Sequence, residues 1–358
     1  MKTRKFFPMI PIFLITLLLA VGCQNVSPEK QSNAQISANV QSAEDSSFSV
    51  RFLDVGQADA ALIECDDHYM LIDGGDTDSS SKMYTVLKEA GIDHLDIVVG
   101  THADADHIGG LAGALNYATA DVTLCSTTSN DTKAFENFKK YAEANGGGIT
   151  VPEIGDKYYL GSSLITILSV NAGNDSNNSS IVLKLEYGDT SFLFTGDAEK
   201  EAEQEMIESG EDLSATVLKV GHHGSAGSSS EEFLEEVDPE YAVISVGEDN
   251  SYSHPAKAAL DRLEAQDAEI YRTDLQGEIL MTSDGETIQI STKKENEKNN
   301  LQTEEIEEDY ILNTNTKKFH HPSCKSAKRT KSENKQEFHG TKQDLLSMGY
   351  EACKNCNP

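Results

Sequence analysis

Residues 48–64, "FSVRFLDVGQADAALIE", alternate apolar and polar positions and break at Gly56. A period of two predicts a strand with one buried face, a turn, and a second strand. "YMLIDGG" predicts a further strand closed by a glycine pair, and "KMYTVLKEAG" a helix stopped at Gly91. "LDIVVG" is an apolar strand, and "HIGGLAGALNYA" begins a helix. "DVTLCS" and "TKAFENFKKYAEANGGG" repeat the strand-then-helix order. "SLITILSV", "SSIVLKLEYGDTSFLFTGD" and "ATVLKVGHHGS" add strands, the middle one folded back at Gly188-Asp189. The helix "SEEFLEEVD", the strand "YAVISVG" and the helix "PAKAALDRLEAQ" follow, then the strands "EIYRTD", "EILMTSD" and "TIQIST". Strands and helices mix throughout, so the class is α/β or α+β. Hairpins in both halves predict two sheets packed together with helices outside.

The ends of the chain break this pattern. Lys2, Arg4 and Lys5 precede an apolar run from Phe6 to Val21, then Gly22 and Cys23. This is the layout of a secretory signal, and a Cys after small residues resembles the bacterial lipobox, with Ala20 where Leu is usual. The expectation is a signal over 1–23 and a lipid on Cys23. The protein would then be held on the outer face of the cytoplasmic membrane, or secreted. Residues 24–47 are polar and aperiodic and read as a tether. Residues 293–309 are charged and read as a linker, and 310–358 form a separate Cys/His-rich tail. The core domain is expected over 48–292.

Charge narrows the partners. The net charge is -31, which repels nucleic acid at long range and excludes a broad basic binding face. It leaves room for a protein whose metals, rather than lysines, meet a phosphate. Cys65 and Cys125 lie apart in the body and read either as a disulfide or as buried thiols.

"THADADHIGG" crowds His102, Asp104, Asp106 and His107 into six residues after an apolar strand. Imidazole and carboxylate are both ligands for borderline divalent cations. His102 with Asp104, and Asp106 with His107, can address two ions. Gly109 and Gly110 let the backbone pass close to its neighbours. "FLFTGD" sets Asp197 at the end of another apolar strand, and "VLKVGHHGS" sets His222 and His223 at a third. "NSYSHPAKAAL" offers His254, also between a strand and a helix, whose plainer reading is a structural helix-start residue.

"FLDVGQADAALIE", "LIDGG", "THADADHIGG", "NNSSIVLKL", "FLFTGD" and "LKVGHHGS" resemble, in order, the motifs of the metallo-β-lactamase superfamily, most closely its ComEC-type branch. The resemblance spans about Phe48 to Thr292. It implies a four-layer αβ/βα sandwich with the active site at the edge shared by two sheets. Carried over, His102, Asp104, Asp106 and His107 match the superfamily's His-x-His-x-Asp-His cluster, with Asp104 in place of the second His. Asp197 matches the bridging aspartate. His222 is taken as the last ligand, with His223 beside it. The superfamily's middle histidine is missing, and Asn178 or Ser179 stands near its place. More oxygen ligands shift preference from Zn²⁺ toward harder ions such as Mn²⁺.

The function so implied is that of a hydrolase using two divalent ions, Zn²⁺ or Mn²⁺. Its substrate would be a phosphodiester, DNA or a nucleotide among them. Asp106 would orient the attacking water, and His254 would hold a phosphate or protonate the leaving oxygen. Ser225 and the backbone near Gly224 are further donors to an oxyanion. The rival readings are hydrolysis of a lactam, lactone or thioester, and a non-catalytic lipoprotein binding nucleic acid or cell wall.

"KKFHHPSCKSAKRT" and "MGYEACKNCNP" supply Cys324, Cys353, Cys356 and a histidine. Four such ligands close a tetrahedron around a structural Zn²⁺, and the rival is a disulfide. The tail resembles the small Ada-type metal-binding domain, with His320 rather than His321 as its fourth ligand. Its Lys/Arg-rich stretch, Lys317 to Lys335, is the basic exception on an acidic protein.

Overall fold

The computed structural model describes residues 47–294, 308–354 and 356. Cys23, the tether before Ser47 and most of the linker lie outside the described residues. Among those described, no helix is long and apolar enough to cross a membrane.

An eight-stranded sheet runs Ile288–Thr292, Ile279–Ser283, Phe48–Phe52, Ala61–Cys65, His68–Ile72, His94–Gly100, Thr119–Cys125, Ile149–Thr150. A seven-stranded sheet runs Glu269–Arg272, Tyr241–Ile244, Val217–Lys219, Thr190–Phe194, Val182–Tyr187, Ser163–Ser169, Lys157–Leu160. The Ile279–Ser283 strand pairs antiparallel with Phe48–Phe52, so the end of the domain returns to its beginning. That contact is invisible to local pattern.

Three apolar clusters separate four layers. Phe48, Val50, Phe52, Ile63, Leu183, Phe192 and Phe194 fill the space between the sheets. The alternation in "FSVRF" is the cause: Phe48, Val50 and Phe52 face inward, and Ser49 and Arg51 do not. Leu71, Met83, Leu87, Val98, Leu111 and Phe138 pack helices Ser80–Ala90, Leu111–Tyr117 and Lys133–Asn145 on the outer face of the first sheet. Leu193, Leu218, Met206, Phe233 and Leu263 pack helices Lys200–Ser209, Glu231–Val237 and Lys257–Ala265 on the second. The result is the expected αβ/βα sandwich. The Lys200–Ser209 helix and the Lys157–Leu160 strand were not anticipated. "KEAEQEMIES" is nearly all polar, and its few apolar residues make a narrow stripe.

Cys65 belongs to the inter-sheet cluster and Cys125 to the outer one. They sit on opposite faces of one sheet, so they are buried thiols and not a pair. Burial pushes the Cys125 thiol up to about 11.

A separate four-stranded sheet contains Lys335–Gly340, Glu308–Asn313, Lys318–His320 and Glu351–Ala352. Its first strand opens at Glu308, two residues before the expected edge of the tail. Its core is small: Tyr310, Leu312, Phe319, Leu345 and Tyr350.

Candidate metal centre

The cleft forms where strands of both sheets end. The His94–Gly100 strand delivers Thr101 and His102, and a short turn delivers Asp104, Asp106 and His107. From the other sheet, the Thr190–Phe194 strand delivers Asp197, and Val217–Lys219 delivers His222 and His223. Asp104, at the N-cap, is extended at φ -77°, ψ 148°, and Ala105–Ile108 then coils. His102 and His107 thereby come together, ring centroids 4.1 Å apart.

Glycines make the close approach possible. A Cβ on Gly110 would lie 1.9 Å from the Gly74 carbonyl oxygen, and one on Gly109 2.3 Å from the Thr77 nitrogen. Gly74 N donates to His107 O at 2.7 Å, and Gly110 N to Gly75 O at 3.0 Å. The "LIDGG" turn and the His/Asp turn are therefore locked backbone to backbone. His222 and His223 take φ of 47° and 52°, a left-handed pair that side chains adopt at a cost of about 1–3 kcal/mol each. The turn sends the rings apart: His223 is 2 % exposed, while His222 lines the mouth.

Each imidazole has its outer nitrogen engaged. His107 Nδ1 lies 2.8 Å from Asp73 Oδ2, and His223 Nδ1 2.9 Å from Ser245 O. His222 Nδ1 lies 2.8 Å from Glu199 Oε1, and His102 Nδ1 3.2 Å from Ser180 Oγ. The opposite nitrogens point inward. His102 Nε2, His107 Nε2, His223 Nε2 and Asp197 Oδ1 are buried without a well-aligned hydrogen bond among the described residues, although His107 Nε2 and Asp197 Oδ1 face each other at 3.1 Å. Buried polar atoms are seldom left this way. Imidazoles anchored at one nitrogen and bare at the other are the arrangement that metal ligands adopt.

Four residues offer one ligand atom each within 4.8 Å of one another: Asp106, His107, Asp197 and His223. His223, not His222, completes this group; its Nε2 is 3.5 Å from Asp106 Oδ2. His222 sits on the other side of the bridging carboxylate, its Nε2 3.7 Å from Asp197 Oδ2. His102 Nε2 and Asp104 Oδ2, 3.6 Å apart, belong to that second side. Asp104 also accepts from Ser176 Oγ at 2.5 Å. The expected division of the cluster between two ions has a geometric basis here, with the roles of the His pair exchanged.

Asn178 does not stand in for the missing histidine. Its Oδ1 accepts from Glu199 N and Ala202 N, capping the Lys200–Ser209 helix. Its Nδ2 donates to Asp175 and Glu201. Both ends of the amide are taken. Asn177 Nδ2 instead lies 3.3 Å from His222 Nδ1. The Ser225 amide is taken by His222 O, and its Oγ accepts from Gly227 N, which leaves the hydroxyl proton as the one donor Ser225 can offer.

Two residues escaped sequence reasoning. Asp73 Oδ1 accepts from Thr101 N at 2.8 Å, and its Oδ2 takes both Thr101 Oγ1 and His107 Nδ1. Asp59, 4 % exposed, pairs with Lys219 Nζ at 2.9 Å and lies 3.6 Å from His223 Nδ1. Both are carboxylates flanked by apolar residues, in "YMLIDGG" and "ADAALI". A charge that a strand terminus cannot solvate was the available signal.

The electrostatics favour a cation. Burial opposes charge on His107, but Asp197 and Asp73 outweigh it and push its pKa well above the usual value. Burial likewise opposes charge on Asp197, yet His107 and His223 hold it well below the carboxylate range. Asp59, Asp73, Asp104, Asp106 and Asp197 outnumber the Lys219 ammonium together with the His107 and His223 imidazoles whose pKa values are raised there, so the cleft favours further positive charge. The residues present fit divalent ions. His254 stands outside this group, its ring 5.5 Å from that of His222. Burial and then the neighbouring His222 and His223 lower its pKa.

A sequence model of the metallo-beta-lactamase superfamily matches residues 53–248, more than half of the chain. The chain belongs to the metallo-beta-lactamase superfamily. ComE operon protein 3 of Bacillus subtilis is 34 % identical over 64 % of the chain and 32 % of that protein. Competence protein ComA of Neisseria gonorrhoeae is 32 % identical over 63 % and 30 %, and Recombination protein 2 of Haemophilus influenzae 30 % over 65 % and 28 %. The chain thus spans about a third of the length of these curated relatives. Among solved structures, the metallo-beta-lactamase fold protein YhfI from Bacillus subtilis is similar at 13 % identity and a TM-score of 0.45. The match covers 69 % of this chain and all of that one. The resemblance to the ComEC-type branch is borne out by these relatives.

The tail holds a second cluster. His320, Cys324, Cys353 and Cys356 place one ligand atom each within 4.8 Å of one another. His320 Nδ1 is 3.7 Å from Cys324 Sγ. His321 turns away, 3.9 Å from Glu308 and stacked on Tyr310. The thiols are free, so no disulfide competes with a metal in this structure.

Proposed function

We propose that this metal-dependent hydrolase fold cleaves phosphodiesters, in DNA or nucleotides, outside the cytoplasmic membrane. One observation carries the reading. Inward-facing imidazole Nε2 atoms converge on Asp197, His107 at 3.1 Å and His222 at 3.7 Å, in a cleft whose other side is open, Asp104 and Asp106 being 45 % and 37 % exposed at their side chains. Divalent cations bound there supply Lewis acidity and an acidified water. Asp73, Ser245, Glu199 and Ser180 fix the imidazoles so that little reorganisation remains for the reaction. Asp106, partly exposed and 3.5 Å from His223, orients the attacking water. Asp104 in place of a histidine adds a hard oxygen ligand and supports Mn²⁺ over Zn²⁺, and it weighs against a lactam substrate. His254 stands at the mouth, its ring 5.5 Å from that of His222, where it would hold a phosphate oxygen or protonate the leaving oxygen; burial and then His222 and His223 lower its pKa. The competence and recombination names of the relatives support a nucleic-acid substrate. Lipidation of Cys23 would tether the domain to the membrane, and His320, Cys324, Cys353 and Cys356 would close around a structural Zn²⁺.

The test is hydrolysis of single-stranded DNA and of bis-nitrophenyl phosphate, with Zn²⁺ and Mn²⁺ restored separately after chelation. Asp106→Asn and His107→Ala are expected to lower kcat/KM by about 10³-fold or more with an unchanged circular dichroism spectrum. Full activity in either variant, or cleavage of lactams alone, overturns the reading.

A further inference from the structure

The rim of the cleft carries an aromatic ring that neither the core nor the ligand set uses. Tyr252 is 69 % exposed, whereas Phe and Tyr rings elsewhere in the body largely fill the apolar clusters. Its ring stacks on His254, centroids 5.8 Å apart and planes 28° apart. His254 meets His222 edge-on at 5.5 Å, and His222 Nε2 reaches to 3.7 Å from Asp197 Oδ2. A row of rings therefore leads from the centre of the cleft to solvent.

The row is held in place by polar anchors. Asn250 Oδ1 accepts from Tyr252 N at 3.1 Å and His254 N at 3.0 Å. Asn250 Nδ2 donates to Gly247 O at 3.0 Å and His254 O at 2.6 Å. Gln57 Oε1 accepts from Gly247 N, tying the loop to the first sheet. An exposed apolar ring fixed this firmly beside a metal cleft points to a ligand with a flat face. The acidic chain offers little electrostatic attraction to a phosphate backbone, so affinity must come from the cleft and from uncharged contacts. Stacking of an aromatic ring on a base face is such a contact and is indifferent to sequence.

We propose that Tyr252, backed by His254, is a stacking platform for an unpaired nucleobase next to the phosphate in the cleft. The preferred substrate is then single-stranded nucleic acid, because a duplex keeps its base faces covered. The proposal rests on the phosphodiester reading of the cleft, and its test separates the two.

Binding of a short single-stranded oligothymidylate is measured by fluorescence anisotropy on the full chain. Ca²⁺ replaces Mn²⁺, and the oligonucleotide is checked for intactness afterwards. An abasic oligomer with the same backbone is the control. Tyr252→Ala is expected to weaken oligothymidylate binding by about 10-fold or more. Tyr252→Phe should retain wild-type binding, and the abasic oligomer should not distinguish the three proteins. In turnover with Mn²⁺, Tyr252→Ala should raise KM and leave kcat. The platform is overturned if wild type does not bind oligothymidylate, if Tyr252→Ala binds it normally, or if the abasic oligomer loses as much affinity. The expected binding pattern without any cleavage would keep the platform and end the hydrolytic reading. Cleavage with binding indifferent to Tyr252 would do the reverse.

Discussion

The two ligand clusters of this chain are built in opposite ways. The cleft draws His102, Asp106, Asp197 and His223 from strand ends of two sheets that are already held by large apolar clusters. Its ligands are propped from behind by Asp73, Ser245 and Ser180. The tail draws His320, Cys324, Cys353 and Cys356 from a small sheet, and Cys324 and Cys353 are themselves part of its second apolar cluster. Four protein ligands there leave no position open, while the cleft keeps an open side. In the first case the fold positions the ligands; in the second, a metal bound by those ligands would help to position the fold. A module this small buries little apolar surface, so the bond to a metal held there would become part of its folding free energy.

Chelation should break this contrast most visibly. Hydrolysis should fall by about 10³-fold or more while the body keeps its circular dichroism, and the amides of 308–354 should lose protection in hydrogen exchange. Equal loss of protection in both regions would end the comparison. Cys353→Ser should unfold the tail alone and leave hydrolysis by the body intact.

The supports behind the cleft can be tested without metal. Lys219→Met leaves Asp59 buried without its ammonium partner, with only the His223 and His107 imidazoles near it, and should cost about 3 kcal/mol in urea denaturation of the body. Adding Asp59→Asn should recover much of that loss. Gly110→Ala drives a methyl into the Gly74 carbonyl and should cost roughly 2 kcal/mol or more while moving His107 off its ligand position. A normal denaturation midpoint with normal activity would show that the two turns are not locked together.

The smallest effect is expected far from both clusters. Lys184 and then Ser214 hold the Asp212 carboxyl down to about 2. A depressed acid adds stability that is complete above its unfolded pKa, about 3.9, and lost as pH falls through about 2. Asp212 is 73 % exposed at its side chain, so screening leaves well under about 1 kcal/mol. Asp212→Asn should flatten the Tm profile slightly between those pH values and leave both clusters untouched.

Much of the fold follows from local pattern. The alternation in "FSVRF" and the apolar runs ending in His102, Asp197 and His223 place strands, and the polar groups at their ends mark the cleft. The Lys200–Ser209 helix stayed hidden because "KEAEQEMIES" gives only a narrow apolar stripe, and its start is capped by Asn178 from another segment. Asp59 with Lys219 stayed hidden because its partners lie 160 residues apart.

The linear chain determined which chemistry was available: imidazoles and carboxylates at strand ends, thiols in a basic tail, an acidic exterior. Tertiary structure alone decided their division of labour. It turned His223 inward and His222 to the rim, engaged Asn178 in a helix cap, set Cys65 and Cys125 on opposite faces, and stacked Tyr252 on His254. The reason is physical. Periodicity reports which face of an element is buried, but a ligand's role depends on what occupies its second nitrogen or oxygen. That partner is brought by another strand, through contacts that no local window contains.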